Sequence, residues 1–102
     1  MDRFQEKSLQ RFLNTDEIAL VKNPKTASGF WAAKEAVSKA LGTGIGAECG
    51  FKDIVIKKTS RGAPYLELSQ NIIQNFKITD SSLSITHDGE YAIAVVSLES
   101  LK

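Results

Sequence analysis

The sequence predicts a single α+β domain in which a long central helix packs on an antiparallel sheet. Segments with helical periodicity come first along the chain, and segments with strand alternation follow. A length of 102 residues leaves room for one hydrophobic core, and 42% hydrophobic with 25% charged residues is typical of folded globular proteins. We therefore expect one folded domain without internal repeats or a flexible linker.

The start of the chain predicts an amphipathic helix over Asp2 to Leu13. Its apolar side chains recur at helical spacing, while Arg3, Lys7 and Arg11 recur every four residues on another side. Such a basic stripe is typical of a solvated helix face, and it also suits an acidic partner helix through charge-assisted pairs. The pattern alone leaves both interpretations open.

A second, shorter helix is predicted from Thr15 towards Pro24, which forbids its continuation. Asn14 followed by Glu17 resembles a capping box with Asn in place of Ser or Thr. The apolar side of this helix consists of Ile18, Leu20 and Val21.

The third helix is predicted to be the central one. Thr26 or Ser28 can cap its start, and Gly42 ends it. An apolar face with a period of 3.6 residues predicts the side that packs on the sheet. Its members are Phe30, Ala33, Val37, Ala40 and Leu41.

A first hairpin and a further short helix follow. Asp53 to Lys57 and Tyr65 to Leu68 have strand character, and the letters TSRGAP between them are typical of a turn. A short helix is predicted over Ser69 to Phe76, with Ser69 as its cap. Its inward side consists of Ile72, Ile73 and Phe76.

A second hairpin closes the chain. Ser82 to His87 alternates polar and apolar residues, Asp88 and Gly89 form a strong hairpin-turn signal, and Tyr91 to Leu98 is a largely apolar strand. The C-terminal half is therefore predicted to be mostly antiparallel sheet.

Charge and cysteine content exclude several classes of function. A net charge of +1 gives no strong general field for nucleic acid, so an anionic partner must be met by a local cluster of Lys and Arg. Cys49 is the only cysteine, which excludes an internal disulfide and multi-cysteine zinc sites and fits a reducing cytoplasm. No apolar run approaches the roughly 20 residues that span a bilayer. We expect a cytoplasmic protein that binds neither nucleic acid nor membrane.

Glu35 and Lys39 are the first candidates for chemistry, because residues four apart on a helix project from one face. The carboxylate suits a hard cation such as Mg²⁺, and the ammonium suits a phosphate that the cation bridges. The alternative is an exposed ion pair worth about 0.3–0.5 kcal/mol. Spacing does not decide between these interpretations.

The letters GTGIG after the third helix suggest phosphate binding, but a helix C-terminus presents free carbonyls rather than free N–H groups. A P-loop is therefore disfavoured, since it places phosphate at the start of a helix. A helix C-cap with a tight turn is one interpretation. A nest of turn amides that binds an anion together with Lys39 is the other.

His87 is the sole histidine, so a histidine-rich metal site is excluded. Alternation places it on the same side of the strand as Leu83 and Ile85. A structural histidine and a functional one are both compatible with this position. A serine hydrolase is disfavoured because the sequence lacks a nucleophile elbow.

Together these segments resemble the holo-acyl-carrier-protein synthase family of phosphopantetheinyl transferases. The similarity runs from Arg11 to Leu98, and its specific blocks are WAAKEAVSKALGTGIG and SLSITHDGEYAIAVV, with FKDIVI and GAP between them. The resemblance implies Mg²⁺-dependent transfer of the 4′-phosphopantetheine group of coenzyme A to a serine of apo-acyl carrier protein, in fatty acid biosynthesis. It also implies a homotrimer with active sites between neighbouring subunits.

By this resemblance Glu35 matches the family's metal-ligand glutamate, and Lys39 matches the lysine that contacts the phosphates of coenzyme A. Gly42, Thr43 and Gly44 would border the path of the pantetheine and pyrophosphate. The implied mechanism is phosphoryl transfer, in which Lys39 stabilises the developing negative charge and the carrier serine attacks in line.

The resemblance assigns further residues to the nucleotide and to the carrier protein. The turn from Gly62 to Pro64 matches the family's Gly-Lys-Pro loop near the nucleotide. Thr86 and His87 match a pair near its 3′-phosphate. Lys7 and Arg11 correspond to basic helix positions that receive the acidic recognition helix of the carrier protein.

The sequence also departs from the family pattern. Members open with a strand of the type GIGIDIVEI, whose aspartate is the second protein ligand to magnesium, and this chain begins after that position. Phe30 stands where many members carry an arginine, and Ala63 replaces the lysine of Gly-Lys-Pro. We therefore expect one transferase domain without the N-terminal strand and with altered nucleotide contacts. A truncated, non-catalytic homologue that binds carrier protein or coenzyme A is the alternative.

Overall fold

Two antiparallel hairpins and a long helix form the framework of the computed structural model, which describes residues 9–89 and 91–101. The helices are α1 (Thr15–Leu20), α2 (Pro24–Leu41) and α3 (Gln70–Phe76). The strands are β1 (Ile54–Lys58), β2 (Pro64–Leu68), β3 (Ile78–Asp88) and β4 (Tyr91–Ser100). The predicted α+β class is confirmed.

The described chain starts at the end of the first predicted helix. The N–H groups of Phe12 and Leu13 donate to the carbonyl of Leu9 at 3.1 and 2.8 Å. Leu9 and Leu13 are buried in the core, whereas Arg11 is exposed. The remainder of that helix, including Lys7 of the basic stripe, lies outside the described residues.

Helix α1 begins with the predicted capping box. The Asn14 side chain accepts a hydrogen bond from the Glu17 N–H at 2.8 Å, and Glu17 Oε1 accepts one from the Asn14 N–H at 3.0 Å. The helix ends at Leu20, short of Pro24, because Val21 already has extended backbone angles. The capping prediction is confirmed.

The N-cap of helix α2 lies before both predicted caps, three residues ahead of Thr26 and five ahead of Ser28. Asn23 is the N-cap and its side chain accepts from the Thr26 N–H at 3.0 Å, so the predictions of Thr26 or Ser28 as the cap are wrong. Pro24 occupies the first turn, where its missing N–H has no partner to lose. At the other end Gly42 has a φ of 82°, a left-handed conformation that confirms the predicted C-cap.

The buried side of α2 differs in detail from the predicted face. Phe30, Ala33 and Val37 are buried as predicted, but Ala40 is exposed. The prediction that Ala40 belongs to the buried face, near the C-terminus of the helix, is therefore wrong. The predicted face also omits three buried positions, which are Gly29, Lys34 and Ser38.

Each predicted hairpin is present and antiparallel. β1 pairs with β2 in a register that joins Ile54 to Leu68, and β3 pairs with β4 down to the Asp88 to Tyr91 pair. Gly89 has a φ of 61°, as the predicted turn requires. β3 begins at Ile78, four residues before the predicted Ser82, because the left-handed Lys77 ends α3 and leads directly into the strand.

The core lies between α2 and the two hairpins. One buried cluster contains Phe30, Ala33 and Ile56, and a second contains Val37 and Ile54. Alternate residues of β3 and β4 pack against these clusters, while the opposite face of β4 is exposed. Within the residues that the structure describes, no helix is both long and apolar enough to cross a membrane.

Candidate functional site

A cleft of about 530 Å³ lies between α2 and β4, and both predicted catalytic residues line it. Glu35 is half-buried and Lys39 is exposed. The prediction that they share one face of the helix is confirmed, because both line this cleft. The volume lies within the range of about 300–1,000 Å³ that is typical of ligand sites.

Short side chains keep this cleft open. Ala32 and Ala36 of α2 face Ala92 and Ala94 of β4 across it, so helix and strand approach closely without filling the space. Trp31 forms one wall. No role was predicted for this tryptophan, although the letters WAAKE place it four residues before Glu35.

Trp31 is held in place by two other aromatic rings. Its ring centroid lies 5.1 Å from that of Phe12, in an edge-to-face arrangement, and 5.1 Å from that of Phe51. The indole remains 45% exposed, so it is fixed by the core on one side and available to a ligand on the other.

Glu35 and Lys39 are not joined to each other. Among residues 9–89 and 91–101 the ion pairs are Lys34 with Glu17 and Lys57 with Glu67. The interpretation of Glu35 and Lys39 as a surface ion pair therefore does not describe this geometry. Within the described part of the chain, neither the Glu35 carboxylate nor the Lys39 ammonium takes part in an ion pair.

The cleft suits a metal ion that takes most of its ligands from water and substrate and few from the protein. Glu35 is the only carboxylate that lines it, and within the described part of the chain no three His, Cys, Asp or Glu residues are grouped to hold a metal. Mg²⁺ is commonly bound by one or two carboxylates together with waters and substrate phosphate. The donor set therefore fits Mg²⁺ on a phosphate ligand, and it does not fit a structural zinc site.

The loop after α2 caps the helix. The Gly42 N–H donates to the carbonyl of Lys39 at 3.0 Å, and the N–H groups of Thr43 and Gly44 donate to that of Ser38 at 3.1 and 3.2 Å. The C-cap interpretation is confirmed. Because these three amides are already bonded, the predicted anion nest does not form from them.

A second, smaller cavity of about 170 Å³ lies on another side of α2. It brings together Pro64 and His87, two of the residues predicted to lie near the nucleotide, and adds Lys58, which the sequence analysis did not single out. Thr86 is not part of it, because alternation along β3 turns Thr86 to the opposite face, where it is paired with Ile93.

Gly29 allows β3 to approach α2 at this cavity. A Cβ atom there would lie 2.9 Å from Cγ2 of Ile85 and 3.3 Å from Cε1 of His87, so a larger residue would collide with the strand. The position of the imidazole beside the helix therefore depends on the absence of a side chain at Gly29. The prediction that His87 shares a side with Ile85 is confirmed.

The cleft and the small cavity lie on opposite sides of α2. Phe30 lines the cavity and Lys39 lines the cleft, and they are nine residues apart. At 3.6 residues per turn this spacing is about two and a half turns, which places the two side chains about half a turn from each other around the helix. A single chain therefore does not bring Glu35 and Lys39 into one pocket with His87.

A buried ion pair fixes the helix that carries the cleft residues. Lys34 Nζ donates to Glu17 Oε1 at 2.9 Å and to the carbonyls of Phe12 and Phe51 at 2.7 and 2.9 Å. Glu17 Oε2 accepts from the Ile56 N–H at 2.9 Å, and both charged side chains are fully buried. Burial lowers the pKa of Lys34, and the hydrogen bond and charge of Glu17 only partly oppose this effect.

This pair was not predicted from the sequence, where Glu17 was assigned only to the cap of α1 and Lys34 had no role. Spacing contained a signal, because Lys34 lies four residues after Phe30 and three before Val37, which places it on the buried side of the helix.

The sequence matches the family model described as the 4′-phosphopantetheinyl transferase superfamily over residues 1–96. A holo-[acyl-carrier-protein] synthase of Sulfurimonas denitrificans is 68% identical over 100 residues, which are 98% of this chain and 83% of that protein. The synthase of Aliarcobacter butzleri is 56% identical over 95 residues, which are 93% and 80% of the two chains.

Solved structures share the fold. The Helicobacter pylori holo-[acyl-carrier-protein] synthase in complex with coenzyme A has a TM-score of 0.89 at 46% identity, over 96% of this chain and 86% of that chain. The Bacillus anthracis synthase in complex with CoA (3′,5′-ADP) has a TM-score of 0.79 at 37% identity, over 97% of this chain and 85% of that chain.

Proposed function

Because the chain belongs to the 4′-phosphopantetheinyl transferase superfamily, we propose that it transfers the 4′-phosphopantetheine group of coenzyme A to a serine of apo-acyl carrier protein. It acts as a holo-[acyl-carrier-protein] synthase of fatty acid biosynthesis in the cytoplasm. The observation that carries this proposal is the cleft where Glu35 and Lys39 lie together without pairing to each other.

Each residue of the cleft has a separate role in the phosphoryl transfer. The serine hydroxyl gives its proton to water and its oxygen forms a bond to the phosphorus that carries pantetheine. The bond from that phosphorus to the bridging oxygen breaks, and 3′,5′-ADP leaves. Glu35 would hold Mg²⁺, and the bound ion would supply charge neutralisation for the pyrophosphate. The Lys39 ammonium stabilises the negative charge that develops on the leaving oxygen. Trp31 and the short side chains around it shape the space for the substrate.

Each complete site needs two copies of the chain. The nucleotide residues Pro64 and His87 lie on the other side of α2 from Glu35 and Lys39, so one coenzyme A molecule meets both groups only between subunits. We place the chains in a homotrimer, in which repeated head-to-tail contacts close into a ring.

The outer face of β4 supplies apolar surface for this assembly. Tyr91, Ile93 and Val95 are 77%, 53% and 64% exposed, and Ile93 also lines the cleft. A row of exposed apolar side chains on one strand is typical of an interaction surface. An interface here would border the cleft, where a neighbouring subunit must contribute its nucleotide residues.

The remaining assignments follow from the family. Arg11 is exposed and, together with Lys7, receives the acidic recognition helix of the carrier protein through charge-assisted contacts. Gly42, Thr43 and Gly44 border the pantetheine path next to Lys39.

Mass spectrometry of the carrier protein tests the activity. Incubation of the chain with coenzyme A, Mg²⁺ and apo-acyl carrier protein should give a carrier heavier by one phosphopantetheine. The same assay on a version preceded by a family-type strand with its aspartate measures what that strand adds. If both versions are folded and neither gives a mass shift, the transferase proposal is refuted.

The non-catalytic alternative makes a different prediction. A homologue that only binds would retain coenzyme A in a calorimetric titration with Mg²⁺ and leave the carrier mass unchanged. Metal-dependent turnover would eliminate this alternative.

A further inference from the structure

We propose that Lys52 is a positioning residue for carrier-protein binding, because its ammonium holds the turn that carries Arg11. The proposal rests on the carrier-protein contact of Arg11 proposed above and adds a residue that acts through that arginine. Lys52 lies in the short 3₁₀ helix Phe51–Asp53, immediately before β1. It is 42 and 39 residues along the chain from the two residues of the turn that it contacts.

The turn of residues 9–13 has carbonyl groups that its own helix does not satisfy. In a continuing helix the Asn14 N–H would donate to the carbonyl of Gln10. It donates instead to Glu17 Oε1 at 3.0 Å, as part of the cap of α1. One helix therefore ends where the next begins, and the final carbonyls of the first need donors from elsewhere.

Two lysines supply these donors. Lys52 Nζ donates to the carbonyl of Gln10 at 3.2 Å and to that of Leu13. Lys34 Nζ donates to the carbonyl of Phe12 at 2.7 Å. An ammonium at a helix C-terminus is favourable, because the free carbonyls there carry partial negative charge. Three carbonyl groups of this one turn are therefore held by side chains from other segments.

The two lysines differ in what else they hold. Lys34 is fully buried and paired with Glu17, so its removal would damage the core. Lys52 is exposed, and water can bond to the two carbonyls when its side chain is absent. Removal of Lys52 should therefore loosen the turn without unfolding the domain. This difference separates the positioning of the turn from the stability of the fold.

The backbone that carries Lys52 is itself fixed. The Asp53 carboxylate accepts a hydrogen bond from the Gly50 N–H at 2.9 Å. The carbonyl of Phe51 accepts one from Lys34 Nζ at 2.9 Å. Lys52 therefore extends from a rigid base, and its two hydrogen bonds give the turn a defined position relative to the core.

Arg11 lies inside the held turn, between Gln10 and Phe12, and its side chain is exposed. A flexible segment that becomes ordered on binding weakens the affinity, and a segment ordered in advance avoids this loss. The Lys52 ammonium is directed at the carbonyls of the turn. It strengthens binding by ordering the backbone of Arg11, while the guanidinium makes the contact with the acidic carrier helix.

Binding measurements with apo-acyl carrier protein and with coenzyme A test the proposal without requiring turnover. Lys52→Ala should raise the Kd for the carrier protein about two- to tenfold, because binding must then also order the turn. Its Kd for coenzyme A should be unchanged, and its melting temperature should stay within about 4 °C of the wild-type value. In the transfer assay its KM for the carrier protein should rise while kcat stays the same. Lys52→Arg, which keeps a cationic donor, should restore carrier binding.

A double-mutant cycle with Arg11 distinguishes positioning from direct contact. In chains that already carry Arg11→Ala, Lys52→Ala should have little further effect on the Kd for the carrier protein, since the residue that it positions is absent. Additive losses would show that Lys52 contacts the carrier protein independently of Arg11, and they would overturn the proposal.

Lys57→Ala is the control, since it removes one lysine charge from β1, where the ammonium pairs with Glu67 at 2.9 Å. It should leave carrier binding unchanged. Equal weakening in Lys57→Ala and Lys52→Ala, no weakening in Lys52→Ala, or a wild-type chain that binds no carrier protein would overturn the proposal. Transfer activity with carrier binding that does not depend on Lys52 would refute this inference alone. Carrier binding that depends on Lys52 through Arg11, with no modified carrier in the mass assay, would support the inference while refuting the transferase function.

Discussion

Two Glu–Lys combinations involve α2, and they have opposite environments. Glu17 and Lys34 are fully buried and joined at 2.9 Å, with further hydrogen bonds to four backbone groups. Glu35 and Lys39 line an open cleft and are not joined to each other. Lys34 and Glu35 are adjacent in sequence, so one peptide step separates a buried, paired charge from one that lines the cleft.

The comparison shows what the buried pair contributes. A buried ion pair is weak evidence of net stability, because desolvation offsets the attraction between the charges. Lys34, however, ties α2 to the segment before α1 and to the turn before β1, while Glu17 ties α1 to β1. These bonds fix the rotation of α2 about its axis, and that rotation points Glu35 into the cleft.

The largest expected effect is on stability. Lys34→Ala should lower the free energy of unfolding by about 3–5 kcal/mol, because it leaves the Glu17 carboxylate buried without its counter-charge. Urea denaturation measures this loss, and Lys39→Ala is the control, with a change of at most about 0.5 kcal/mol. A loss below about 1 kcal/mol in Lys34→Ala would show that the pair does not hold the fold.

The next effect is on catalysis. Here Lys39, whose replacement should hardly change stability, is the important lysine of the two. Lys39→Ala should lower kcat/KM for coenzyme A by about 10²–10³-fold, because it removes charge stabilisation of the leaving oxygen. The transfer assay measures it, with the melting temperature as a check that the fold is intact. Turnover at the wild-type rate would return Lys39 to the role of a solvated surface residue.

A smaller effect is expected on the other side of α2. Gly29→Ala places a methyl group 2.9 Å from Ile85 Cγ2, and such overpacking costs about 1–3 kcal/mol, partly offset by about 1 kcal/mol of helix propensity. We expect a net loss of about 1 kcal/mol in thermal denaturation and weaker binding of coenzyme A, since His87 must move. Gly46→Ala is the control, because a Cβ there meets nothing within 4 Å. Equal stability and binding in the two variants would contradict this account.

The order and type of the elements were predictable because their signals are local. The Asn14 capping box, the periodicity of α2 and the turn at Gly89 each depend on a few neighbouring residues. The cap of α2 was mispredicted because Pro24 was used only as the end of one helix, although proline is also favoured in the first turn of the next.

The candidate site was only partly predictable. Glu35 and Lys39 are close in sequence, so helix geometry alone placed them together. The pairing of Glu17 with Lys34 and the position of Lys58 beside His87 depend on contacts between segments that are distant in sequence. A single sequence does not show which of its distant segments contact each other. Thr86 was grouped with His87 from the family motif, whereas strand alternation separates their side chains.

The central claim is that Glu35 and Lys39 of one subunit act on coenzyme A held by His87 of its neighbour. Co-expression of Lys39→Ala chains with His87→Ala chains tests it most directly, with transfer measured on the purified mixed oligomers. Each variant alone should be nearly inactive, and the mixture should regain activity at about a quarter of its sites, where two intact halves meet across one interface. A mixture no more active than the two separate variants would contradict the claim.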